Sequence, residues 1–283
     1  MPSTSTMRTE TLTVPGAKLY YEVRGSGPVL LMMPGGPADA TTFRAIEDRL
    51  AERYTVVTYD PRGLSHSTPL DPRDDPRMVE VFADDVHHLL AAMGDGRADV
   101  FASSGGAVIA LELVRRHPEQ VRTVVAHEPP SPAFLPNPSG ARAAMEDVCD
   151  TYASAGLGAS MGKFMEMVGI EGGPPPAPEG EPSPEAMAAM VMMQSNMELF
   201  FSRYTRNLGR YEPNVAALRE SPCRIVPAVG SDSSGQLAHE GGLGLARALG
   251  VDATVFPGDH GGFAGRPDEF AARLLEVLEA EGR

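Results

Sequence analysis

The chain has 283 residues, of which 42% are hydrophobic and 22% charged, and its formal net charge is −14. That length holds one large domain with an insertion or two small ones, and the composition is that of a globular chain. The acidic balance argues against nucleic acid or an anionic membrane as partner, because both select basic surfaces.

The opening "MPSTSTMRTETLTV" lacks the apolar core of a secretory signal, and no run approaches the roughly 18 apolar residues of a membrane span. A cytoplasmic location is the expectation. β-branched and apolar runs then recur at 19–23, 29–33, 54–59, 99–103, 122–127, 224–229 and 252–256. "VLLMM" and "RTVVAH" are almost continuously apolar, as strands covered on both faces should be. Helical periods fall between them, near 40–53, 77–93, 106–117, 236–249 and 267–281. Strands alternating with helices predict an α/β fold, a mostly parallel central sheet flanked by helices.

Residues 132–215 break this rhythm, with helical stretches around the Pro/Gly tract "EGGPPPAPEGEPSPE" (171–185), which reads as a loop. The chain therefore divides into a core domain, 1–131 with 216–283, and a helical cap, 132–215. Met190, Met193, Met197, Phe200 and Tyr204 are spaced 3, 4, 3 and 4, one helical face. Such a stripe is either core or an adaptable apolar wall over a ligand, and on the second reading Met190, Met193 and Met197 bind substrate.

Chemistry concentrates at "ADVFASSGGAVIALEL" (98–113), where an apolar strand runs through two serines into a helix. A strand-to-helix turn that projects a serine needs small residues two before and two after it. Ser104 has Ala102 and Gly106 there; Ser103 would have Phe101 and Gly105. Ser104 is the candidate nucleophile, with the Gly105 amide aimed at a developing oxyanion. "VLLMMPGGPADA" sets Gly36 at the end of an earlier strand for a second amide, and "VFPGDHGGF" places His260 in a loop after the last strand.

The elbow, the Pro34-Gly35-Gly36 turn, "DPRGLSHS" and "GDHGGF" together resemble the α/β-hydrolase superfamily over about residues 11–281. The usual His-Gly turn is Pro-Gly-Gly here, and the glycine two before the nucleophile is Ala102; neither removes a reacting group. A carboxylate must orient the histidine, and two stand at strand ends, Asp232 in "AVGSDSSG" and Glu128 in "AHEPP". The superfamily's acid commonly lies three residues after the glycine, where this chain has Ser233. The segment 103–130 further resembles lactonases that open the macrocycle of zearalenone, whose acid is a glutamate in the matching His-Glu-x-Pro position. That resemblance favours Glu128 over Asp232.

Other residues are left structural: Arg62 as a turn brace, His66 beside it, His117 at a helix end, and His127, which on a strand should face away from Glu128. His87 and His88 point about 100° apart on a helix, so they hold no metal, and Cys149 and Cys223 read as reduced buried thiols. The expectation is a serine esterase or lactonase for a substrate with a sizeable apolar part, needing no cofactor, with a second copy of itself, as a homodimer, the macromolecular partner left open. Carbon–carbon bond hydrolysis or perhydrolysis on the same triad, or a non-catalytic hydrolase-fold binder of a small ligand, are the alternatives, since fold alone does not choose among them.

Overall fold

The computed structural model describes residues 7–69, 75–94, 96–169 and 183–280. Nine strands form one sheet among the described residues: β1 (Arg8–Val14), β2 (Ala17–Gly25), β3 (Val29–Met33), β4 (Thr55–Tyr59), β5 (Thr68–Pro69), β6 (Ala98–Ser103), β7 (Val121–His127), β8 (Arg224–Gly230) and β9 (Thr254–Phe256). Their order is β1-β2-β4-β3-β6-β7-β8-β9, with β5 paired to β2. From β4 to β9 every pairing is parallel, while β2 runs antiparallel to its three neighbours.

The central strands are apolar throughout because helices cover both faces. On β3, Leu31 and Met33 join the cluster under α2 (Met78–Met93) and α3 (Gly105–Arg116). Leu30 and Met32 alternate to the other side, against α1 (Arg44–Ala51) and α11 (Pro267–Glu279). β6 does the same, with Val100 and Ala102 on the first face and Phe101 packed edge-on against Phe43 and Phe270 on the second. Periodicity did not announce β1, whose residues are nearly all exposed, so it shows no buried alternation. Its signal is the turn: Val14 pairs with Ala17 around Pro15-Gly16, and Gly16 has φ 78°, as the third residue of a type II turn requires.

Between β7 and β8 the chain is helical: α4 (Pro138–Ala155), α5 (Leu157–Val168), α6 (Pro184–Leu199), a π-helical turn at Phe200–Tyr204, α7 (Thr205–Arg210) and α8 (Val215–Glu220). Most of the Pro/Gly tract lies outside the described residues. Its end is the start of α6, where Ser183 caps the Ala186 amide and Pro184 takes the first helical position. Helices α9 (Leu237–Leu249) and α10 (Gly262–Gly265) complete the body. Among the described residues, no helix is long and apolar enough to cross a membrane.

Candidate active site

Parallel strands deliver their following loops to one edge of the sheet, and the chemistry-bearing residues gather there. The turn after β3 carries Gly35 and Gly36, Ser104 directly follows β6, Glu128 directly follows β7, and His260 follows β9. Ser104 has φ 57° and ψ −128°, a conformation that ordinary side chains avoid. The turn is held from both sides. Its own amide donates to the His127 carbonyl at 2.9 Å, and the Ala107 amide donates back to the Ser104 carbonyl. The Ser104 amide is thus spent on β7, and the helix begins at Gly105.

Two glycine pairs interlock around this bend. A methyl group on Gly35 would lie 2.5 Å from the Ser103 carbonyl oxygen and 2.6 Å from the Ser104 Cβ. One on Gly106 would lie 2.4 Å from the Pro34 carbonyl oxygen, so nothing larger than hydrogen fits at either position. The close approach puts the Gly36 nitrogen 3.6 Å from where a Gly105 methyl would sit. Gly36 itself has φ 59°. Gly36 and Gly105 thus border the same cavity as Ser104.

His260 Nδ1 lies 2.5 Å from Glu128 Oε2. Glu128 is fully buried and has φ 51°, which swings its carboxylate from the strand end toward the histidine loop. Its other oxygen accepts from the Gly230 amide at 2.8 Å and from the Ser233 hydroxyl in a very short hydrogen bond. Burial alone would raise the Glu128 pKa; the hydrogen bond from His260, the charges of His127 and His260 and the Ser233 hydroxyl outweigh it and bring the carboxyl down to about 2. His239 Nδ1 sits 3.1 Å beyond, on the Ser233 oxygen. Ser233 and His239 were not singled out as functional by the sequence; the position of Ser233, three residues after Gly230, was the available signal.

Asp232 stands elsewhere. Its carboxylate is 46% exposed and pairs with Arg266 at 2.8 Å and the Ser231 hydroxyl at 2.7 Å, with no contact to His260. Ser103 is also set aside, since its hydroxyl lies 3.4 Å from His127 Nδ1 in the interior.

His127 departs from its expected direction. Its ring lies among Phe101, Phe256 and Phe270, and 6.1 Å from the His260 ring. It is fully buried, which pushes its pKa down to about 4 despite the neighbouring Glu128 charge. His127, Glu128 and His260 bring possible ligand atoms within 4.8 Å of one another. The 2.5 Å approach of Glu128 to His260 is a hydrogen-bond distance, shorter than the roughly 3.4 Å between ligands on a tetrahedral zinc, so this pair is hydrogen-bonded to each other rather than spaced around a metal.

Ser104, Gly36, Gly105 and His260 open into one cavity of about 90 Å³, walled by Phe164, Met167, Phe200 and Leu208. Of the stripe only Phe200 is among its walls; Met190, Met193 and Met197 are not. Met190 is 62% exposed and Met193 42%, and Met197 is only partly buried. The stripe presumed one uninterrupted α-helix. That helix is interrupted by a π turn at Phe200–Tyr204, but the three methionines lie ahead of it on α6, where Asn196 is the one buried residue; α6 meets the body only near its end, so Phe200 and Tyr204 are buried while Met190 and Met193 face out. The methionines that do line the cavity are Met145 and Met167, from α4 and α5. A separate hollow of about 690 Å³, bordered by Arg62, Met78, Phe82 and Tyr204, does not include Ser104 or His260.

Residues 28–167 match the model of the alpha/beta hydrolase fold family. An uncharacterized hydrolase of Bacillus subtilis, YraK, is 35% identical over 98% of both chains. A zearalenone hydrolase of Bionectria ochroleuca is 24% identical over 96% of this chain and 99% of its own. Among solved structures, an enol-lactonase from Burkholderia xenovorans superposes with a TM-score of 0.70 at 17% identity, covering 96% of this chain and all of the other. An esterase from Thermogutta terrifontis gives 0.71, also at 17% identity, over 97% and 98%. Sheet order, elbow and full-length kinship agree, and the chain belongs to the α/β-hydrolase superfamily.

Proposed function

We propose that the protein is a serine hydrolase of carboxylic esters or lactones, with Ser104 as nucleophile, His260 as general base and Glu128 as the acid that orients it. The observation that carries this reading is the 2.5 Å contact of His260 with a buried, doubly braced Glu128, beside a serine held in a strained turn on the same cavity. In the first step the Ser104 hydroxyl adds to the substrate carbonyl and its proton passes to His260. The carbonyl oxygen becomes an oxyanion facing the Gly36 and Gly105 amides, each such donor being worth about 10²–10³ in turnover. Collapse expels the alcohol, which leaves with the proton from His260. Water then gives a proton to His260 and attacks the acyl carbon, releasing the acid and restoring Ser104. Glu128 stays ionised throughout, holding one ring tautomer and balancing the imidazolium. No cofactor enters these steps.

A rapid-mixing experiment with p-nitrophenyl butyrate tests the reading. It should give a burst of nitrophenol stoichiometric with enzyme, absent in Ser104→Ala. Turnover of a β-diketone by an enzyme inert toward every ester would overturn the ester assignment.

A further inference from the structure

The cavity in front of Ser104 is smaller than a substrate with a sizeable apolar part requires. We infer that the acyl side of this site is built for short, uncharged acyl groups of about two to four carbons, so that any bulk must lie on the departing alcohol. The inference rests on the ester reading above and narrows it.

Volume is the first argument. A cavity of about 150 Å³ holds benzene, roughly 25 Å³ per carbon. The 90 Å³ here therefore takes three or four carbons. The walls are braced against expansion. Phe200 is 5% exposed and meets Phe164 edge-on at 5.2 Å, Phe201 at 5.1 Å and Tyr204 at 5.9 Å. Leu208 closes the floor, its Cδ1 lying 3.0 Å from where a Gly105 methyl would sit. To lengthen the cavity, these rings must leave a packed cluster.

Charge is the second argument. Among the described residues, His260 is the one ionisable side chain on the lining, and neither arginine nor lysine reaches it. A second carboxylate on the acyl group would be buried without a counter-charge. Acylation leaves the acyl group, not the alcohol, bonded to Ser104, so it is the acyl group that must fit. Among lactones, whose ring opening keeps the alcohol on the acyl chain, small rings are the ones that fit.

The test is kcat/KM across p-nitrophenyl acetate, butyrate, octanoate and hemisuccinate. The expected profile peaks between acetate and butyrate, with octanoate at least a hundredfold below butyrate and hemisuccinate at least tenfold below it. Phe164→Ala, at a half-buried position, should raise the octanoate-to-butyrate ratio at least tenfold. Equal rates on octanoate and butyrate by the unaltered enzyme would overturn the short subsite and leave the hydrolase reading standing. Failure to cleave any of the four, with no acylation of Ser104, would overturn the reading beneath it as well.

Discussion

Glu128, directly after β7, has a left-handed conformation that costs on the order of 1–3 kcal/mol, and it is repaid by what the carboxylate reaches. One oxygen faces His260, and the other is fixed by Gly230 and Ser233. Glu128→Gln should lower kcat by about 10³–10⁴, as loss of a triad acid does, whereas Asp232→Asn, altering only an exposed pair with Arg266, should stay within about threefold; steady-state kinetics on the two variants decide. Acid should also destabilise the fold. His127 falls to about 4 when folded against 6.5 when free, and Glu128 to about 2 against 4.5. The unfolded chain therefore binds these protons first, so stability is full above about 6.5 and is lost as pH falls, through His127 to about 4 and then through Glu128. The His127 share is about 3 kcal/mol. Thermal melts at pH 7 and pH 4.5 should show the drop, and a His127→Phe variant should lose most of it above pH 4.5. Residue identities in the elbow and the His-Glu-x-Pro stretch made the triad candidates legible. The Ser233 brace was not, because it depends on a short contact between loops 105 residues apart.

At the level of elements, α6 is the least anticipated part. Its one buried residue among its sixteen is polar, Asn196. The Asn196 amide donates to the Pro37 carbonyl at 3.0 Å and to the Ser65 hydroxyl at 2.9 Å, and its oxygen accepts from the Ser65 amide at 2.8 Å. Helix α6 is thereby tied to the loop carrying Gly36 and to the loop after β4. Asn196→Ala should cost about 1–3 kcal/mol in urea unfolding, the usual cost of leaving buried partners unpaired, and should reduce kcat more than it changes KM, since the loop it releases carries Gly36, the proposed oxyanion donor. Unchanged stability and kcat would show the tie to be idle. Helical spacing read Met190 and Met193 as wall because spacing shows which residues share a face, not whether that face meets the body, and α6 buries only Asn196. The strands were clearer: a run such as "VLLMM" allows few arrangements other than burial on both faces, and it forms β3.

Over the whole molecule, the alternation of strands and helices was enough to read the doubly covered parallel sheet, and the order of serine before histidine fitted its switch of loops at one edge. Edge strand β1 escaped because exposed residues carry no periodicity, and cavity size escaped because it depends on how four side chains from α5, α7 and the π turn meet. The central claim is that this fold brings Ser104 and His260 into one catalytic centre, and phosphonylation tests it most directly. Folded protein treated with a fluorophosphonate and mapped by peptide mass spectrometry should carry a single adduct on Ser104, retained in Asp232→Asn and lost in His260→Ala. An adduct on Ser103 or another serine, or no adduct on folded protein, would contradict the account.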